Sequence, residues 1–120
     1  MLNFEKDRRS RAEQLLLSAL LRDNDCTRHI DSMCLTPREF SHDLHGQIFR
    51  HIAKLIALNQ PADIVTVYES MQRHRSVPGV GVLAYLNALN QLPSVPANAG
   101  YYAMTMRGFL RGLQLPKDPM

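Results

Sequence analysis

The sequence predicts an all-α fold, and three observations carry that prediction. Apolar residues recur at three- and four-residue intervals in several separate stretches, which is the period of one helix face. No stretch shows the strict apolar–polar alternation of a half-buried strand. The connections are short and carry Asp, Asn, Pro and Gly, as turns between packed helices do. The expected organisation is a compact globular unit of about six helices over residues 1–96, then a shortened C-terminal helix and tail over 97–120.

The first element is a helix from Arg11 to Arg22, with Ala12, Leu15, Leu16, Ala19 and Leu20 on one face. Ser10 and Glu13 have the spacing of a capping box, in which each side chain satisfies a free N–H at the helix start. Asp23-Asn24-Asp25 breaks this pattern, and a shorter helical piece over Thr27–Leu35 turns Ile30, Met33 and Cys34 inward. Thr36-Pro37 can open another turn, because Pro is tolerated at the first helical position. The strongest helix spans Asp43–Asn59 with Ile48, Phe49, Ile52, Leu55 and Ile56 on its apolar face, and Asn59-Gln60-Pro61 ends it. Asp63 is placed to cap the next helix, which carries Ile64, Val67, Tyr68 and Met71. The β-branched run Val65-Thr66-Val67 raises a strand, but the apolar spacing is helical. Val77-Pro78-Gly79 is a turn before a helix from Val80 to Leu92 with Leu83, Leu86 and Leu89 inside. After Pro93-Ser94-Val95-Pro96, the last helix starts near Ala97 and aligns Tyr102, Met106, Phe109, Leu110 and Leu113.

Composition narrows the function classes. The chain has 120 residues, 45% of them hydrophobic and 21% charged, the balance of one ordinary soluble domain. A net charge of +3 does not by itself mark a nucleic-acid binder, which concentrates Lys and Arg on one face. The densest basic group, Lys6, Arg8, Arg9 and Arg11, is interleaved with Glu5, Asp7 and Glu13, as on a solvated helix start. The N-terminus has no apolar signal segment, no stretch reaches the ~20 apolar residues of a membrane span, and Cys26 and Cys34 are expected as free thiols. A cytoplasmic protein is the expectation.

Candidate chemistry is sparse. No Gly-rich phosphate loop with its Lys is present, and Gly79 and Gly81 belong to a turn. His42, His45 and His51, with Asp43, sit on or beside one helix, but a zinc site needs three or four ligands and an orienting second layer. His45 shares a face with Ile48, Phe49 and Ile52, so a half-buried ring donating to a carbonyl or carboxylate fits better. His42 and His51 read as surface residues, and Cys26, Cys34 and His29 match no zinc spacing. No G-x-S-x-G nucleophile turn appears. No catalytic, cofactor-binding or metal site is expected. Gly108 and Gly112, four apart, mark either a weak helix end or a close contact with a second copy.

An ordered set of short segments carries a resemblance. It runs Ala12-Glu13-Gln14-Leu15-Leu16-Leu17; Phe40, His45 and Gln47-Ile48-Phe49; Pro61-Ala62-Asp63-Ile64-Val65-Thr66-Val67; Gly79 to Leu86; Pro93 to Asn98; and Tyr101-Tyr102-Ala103. In that order and spacing, from about Arg11 to Arg107, the chain resembles the N-terminal domain of DnaB-type bacterial replicative helicases. The resemblance implies scaffold roles for Glu13, Gln14, Phe40, His45, Phe49, Asp63, Gly81 and Tyr85. Phe40 and His45 would pin the strong helix, Asp63 would cap the one after it, and Gly81 would allow a tight turn. Ser18 departs from a usual Gly, Met71 from a usual Leu, and Pro78-Gly79-Val80-Gly81 from a simpler double Gly. Met104-Thr105-Met106-Arg107-Gly108 replaces a long charged helix, so the family's helical hairpin is expected to be stunted, with no ATPase domain.

The full-length relatives are ATP-dependent DNA helicases whose N-terminal domains form a collar of paired subunits that receives primase and sometimes helicase loaders. The resemblance therefore implies a non-enzymatic protein of the primosome, binding replicative helicase, primase or loader, and a monomer or weak dimer by itself. Tyr101, Tyr102, Met106 and Phe109 are the expected contact stripe, since their helix lacks the partner it would fold against. Two other readings stand beside this one: an inactive fragment of a split helicase gene, and a small DNA-binding domain using Arg8, Arg9, Arg11, Arg107 and Arg111.

Overall fold

A computed structural model of the chain describes residues 8–74 and 81–110. Among the described residues there are five α-helices, four short 3-10 helices and no strand. The fold is all-α, as the apolar spacing requires.

Helix α1, Arg8–Arg22, is the central element. It buries Ala12, Leu16, Leu17, Ala19, Leu20 and Leu21 and also Ser10, Glu13, Gln14 and Ser18, because α2, α4 and α5 all pack against it. The expected capping box at Ser10 and Glu13 does not form. Ser10 lies inside the helix, with its Oγ 2.5 Å from His42 Nε2, and Glu13 turns its carboxylate toward Ser41 and His45. The segment after α1 is two 3-10 helices, Asn24–His29 and Asp31–Met33, rather than one α-helical piece. Asn24 explains part of the tighter winding. Its amide donates to Leu20 O and Ala62 O and accepts from Ala62 N–H, which ties the segment to the loop after α2. Cys26 is buried, with its Sγ donating to Ala19 O, whereas Cys34 is exposed in a left-handed conformation (φ 51°). Cys34 therefore does not join the apolar face expected of it.

A 3-10 helix, Pro37–Glu39, leads into α2, Asp43–Ala57. Asn59 (φ 59°) closes α2, with Asn59 N–H on Ile56 O and Gln60 N–H on Leu55 O, the paired bonds of a Schellman stop. Helix α3, Ile64–Arg73, begins with a reciprocal cap: Thr66 N–H donates to Asp63 Oδ1 at 2.9 Å, and Asp63 N–H to Thr66 Oγ1 at 2.8 Å. Helix α4, Gly81–Asn90, buries Val82, Leu86 and Leu89 and leaves Leu83 half-buried. The expected turn at Val77-Pro78-Gly79 lies outside the described residues.

After a 3-10 helix at Pro96–Asn98, α5 spans Ala99–Leu110 and lays Ala99, Tyr102, Ala103 and Met106 against the centre of the molecule. These four residues join the same apolar cluster as the buried faces of α1, α2 and α4. Without α5, one long side of α1 would lose its cover. Leu113 and Gly112 lie outside the described residues, as does the expected tail.

Candidate functional site

The motif residues from three helices converge on one buried polar network. Glu13 of α1 and His45 of α2 are 0% and 1% exposed, and Glu13 Oε1 lies 2.7 Å from His45 Nδ1. The other carboxylate oxygen accepts Ser41 N–H at 2.6 Å and sits 3.3 Å from Arg9 Nε. His45 Nε2 is 2.5 Å from Tyr85 Oη of α4, and Gln14 Nε2 donates to the same hydroxyl at 2.6 Å. With His45 in its Nδ1–H tautomer the donors run in one direction, from Gln14 to Tyr85 to His45 to Glu13. The imidazole and phenol rings also stack, 14° apart in plane with centroids at 5.7 Å. Burial alone would raise the Glu13 carboxyl, but the bonds from His45 and Ser41 outweigh it and hold Glu13 below the usual carboxylate range. The Glu13–His45 pair is buried and Tyr85 is half-buried at its end, and the bonds between them tie α1, α2 and α4 together.

Phe40 packs on Phe49 with ring centroids 5.1 Å apart, which holds the entry to α2 against its second turn. Asp63 caps α3 as described. A Cβ on Gly81 would meet nothing within 4 Å, and the turn expected before it lies outside the described residues. Gly46 is the demanding glycine, since a Cβ there would stand 2.6 Å from Pro37 O. Nothing in the apolar periodicity marks it. His51 is buried at 3% exposure, not on the surface, with Nδ1 2.7 Å from Ser70 Oγ. The signal for this was present, because His51 falls at helical spacing between Ile48, Ile52 and Leu55.

Two of the arginines expected to face DNA are engaged within the fold. Arg107 binds Glu39 through Nε (2.7 Å) and Nη2 (3.1 Å) and donates to Met33 O (2.8 Å). Although burial opposes it, the Arg107 guanidinium keeps the Glu39 carboxyl below its ordinary range. Arg9 donates to Glu39 O at 2.9 Å beside its contact with Glu13. Arg111 lies outside the described residues.

The expected contact stripe is divided by the structure. Tyr102 and Met106 are core residues, at 8% and 0% exposure, and Tyr102 Oη accepts Val95 N–H. Their helical spacing marks the face that meets α1; a core stripe and an interface stripe have the same apolar signature. The side chain of Phe109 lies outside the described residues. Tyr101 is 70% exposed, and Met104, which the spacing did not single out, is 61% exposed. Tyr101 lines a shallow groove of about 310 Å3 between α1 and α5, together with Leu15, Thr105, Arg8 and Arg11.

The comparisons bear on this arrangement directly. The family model for the DnaB-like helicase N terminal domain matches residues 5–107. The chain belongs to that family. It is similar to the replicative DNA helicase DnaB of Rhodothermus marinus (32% identity over 91 residues, 76% of this chain and 10% of the relative). Comparable likeness holds for DnaB of Mycobacterium leprae (32% over 92 residues, 77% and 15%) and of Buchnera aphidicola (30% over 96 residues, 80% and 20%). The chain thus spans 10 to 20% of the length of these curated relatives. The crystal structure of the N-terminal domain of DnaB helicase from Mycobacterium tuberculosis superposes with a TM-score of 0.72 at 31% identity, over 83% of this chain and 71% of that one. The matched region is the non-catalytic domain of the helicase family. In this DnaB-like domain Glu13, Gln14, Phe40, His45 and Phe49 are buried, whereas Tyr101, which also belongs to the ordered segments, stands exposed.

Proposed function

We propose that the chain acts in DNA replication as a non-catalytic DnaB N-terminal-type binding domain, engaging the replicative helicase, a primase or a helicase loader through the α1–α5 face. The observation that carries this reading is the pair Tyr101 and Met104, large apolar side chains held exposed on a helix whose opposite side is fully packed. Leu15 and Thr105 extend that surface, and Arg8 and Arg11 give it a cationic rim. An aromatic anchor with a charged rim is the composition of a protein-binding patch. The same patch supports weak self-association, and a cytoplasmic location goes with these partners. The reading assigns the chain no ATP hydrolysis of its own.

The test is to mix the protein with the host's replicative helicase, and separately with its primase, and to follow the mixtures by size-exclusion chromatography with light scattering. A complex at micromolar concentration is expected with one of them, and it should weaken at least tenfold in Tyr101→Ser/Met104→Ser. The variant should stay folded, because both side chains are exposed. No association with helicase or primase, nor with the helicase loader in a third mixture, would overturn the proposal.

A further inference from the structure

A second surface lies on α2 and α3, with a different character. Lys54 of α2 and His74, which ends α3, meet across the two helices, with Nζ 2.9 Å from Nε2. His74 Nδ1–H donates to Ser70 O at 2.9 Å, so Nε2 is the acceptor and Lys54 the donor. Beneath them lies buried His51, its ring 5.5 Å from that of His74. Arg50, one turn before Lys54, and Arg73, beside His74, are both exposed. Neither forms an ion pair among the described residues, and Glu69, the nearby carboxylate of α3, forms none either. Burial first, and then its neighbours His74, Lys54, Arg50 and Arg73, push His51 down to about 4. Arg50, Lys54 and Arg73 thus bring three cations to the point where the two helices meet, with Glu69 the nearby carboxylate.

This contrasts with the arginines of the opposite supports. Arg9 and Arg107 are neutralised on Glu13 and Glu39, and Arg22 donates to Asn90 O and Leu92 O. We propose that the α2–α3 surface carrying Arg50, Lys54, Arg73 and His74 binds the phosphate backbone of a nucleic acid strand. The side chains decide the class of partner. A protein partner calls for a buried apolar or aromatic anchor at its centre, and these four positions supply none. A phosphate backbone needs cations and polar donors alone, without regard to sequence.

The test is fluorescence anisotropy of a labelled oligothymidylate of about 20 nucleotides against the native chain. Three cations, Arg50, Lys54 and Arg73, contact phosphate at neutral pH, so a tenfold rise in salt should weaken binding about 100-fold. Arg50→Glu/Lys54→Glu/Arg73→Glu should abolish binding, whereas Arg8→Glu/Arg11→Glu, with the same sign of change on the α1–α5 face, should retain most of it. Circular dichroism checks that both variants are folded; if the triple variant is not, Lys54→Ala/Arg73→Ala should still reduce the salt dependence. Absence of binding at low salt overturns the proposal, as does an equal loss in both charge-reversed variants. Competition by polyglutamate of matched charge as effective as that by the oligonucleotide also overturns it, in favour of an acidic protein.

Discussion

Replacing Glu13 by Gln is the sharpest probe of what holds this domain together. The carboxylate accepts two hydrogen bonds, from Ser41 N–H at 2.6 Å and His45 Nδ1–H at 2.7 Å, at a site with 0% exposure. An amide of the same shape has one acceptor oxygen, and its NH2 must face one of those donors. The substitution loses a charge-assisted bond worth about 1.5–3 kcal/mol and leaves a buried donor without an acceptor at a cost of about 1–3 kcal/mol. A total of about 2.5–6 kcal/mol is a large part of the ~5–15 kcal/mol by which a domain is stable. The assay is urea unfolding of both proteins by far-UV circular dichroism, repeated from pH 7 to pH 3. Because the Glu13 carboxyl is held low in the folded state, its contribution is full above its unfolded pKa of about 4.3 and is lost as pH falls through the folded value. The difference between native protein and Glu13→Gln should therefore shrink below about pH 4. A difference under about 1 kcal/mol at pH 7, or one that does not change down to pH 3, would refute the reasoning.

Other perturbations follow from the same geometry. His51 is held neutral, from an ordinary 6.5 down to about 4, so its contribution is complete above pH 6.5 and is lost as pH falls toward 4. That loss is at most about 3 kcal/mol, and His51→Asn should flatten the stability profile over that interval. Gly46→Ala should destabilise by about 1–3 kcal/mol, because its Cβ collides with Pro37 O and must push the Pro37–Glu39 turn off α2. Gly81→Ala, with open space around it, should be neutral or stabilising by up to about 1 kcal/mol, and thermal melts of the two variants side by side check the contrast.

Much of the fold is legible in the sequence because burial in a helical domain imposes a period. Ile48, Phe49, Ile52 and Leu55 announce α2, and Asp63 announces the start of α3, since both signals are local to the chain. The same locality explains the errors. Ser10 and Glu13 have capping-box spacing, but whether a helix starts there depends on what reaches those side chains, and Ser41, His42 and His45 do so from some thirty positions away. The 3-10 winding of Asn24–Met33 also depends on a distant partner, the backbone of Ala62.

The sequence alone determined the class of this protein: an all-α domain whose ordered segments mark the DnaB N-terminal family, because apolar period and motif order are properties of the chain itself. Only the tertiary structure decided which residues face outward. Tyr102 and Met106 share a helical stripe that suits an interface as well as a core, and it is the arrival of α1 against that stripe that makes them core. Tyr101 and Met104 are left outside by the same packing, and Arg107 is drawn from a surface charge into a clamp on Glu39. A side chain's chemistry is written in the sequence, but its partner is set by contacts between elements far apart in the chain, and for this domain those contacts separate support from surface.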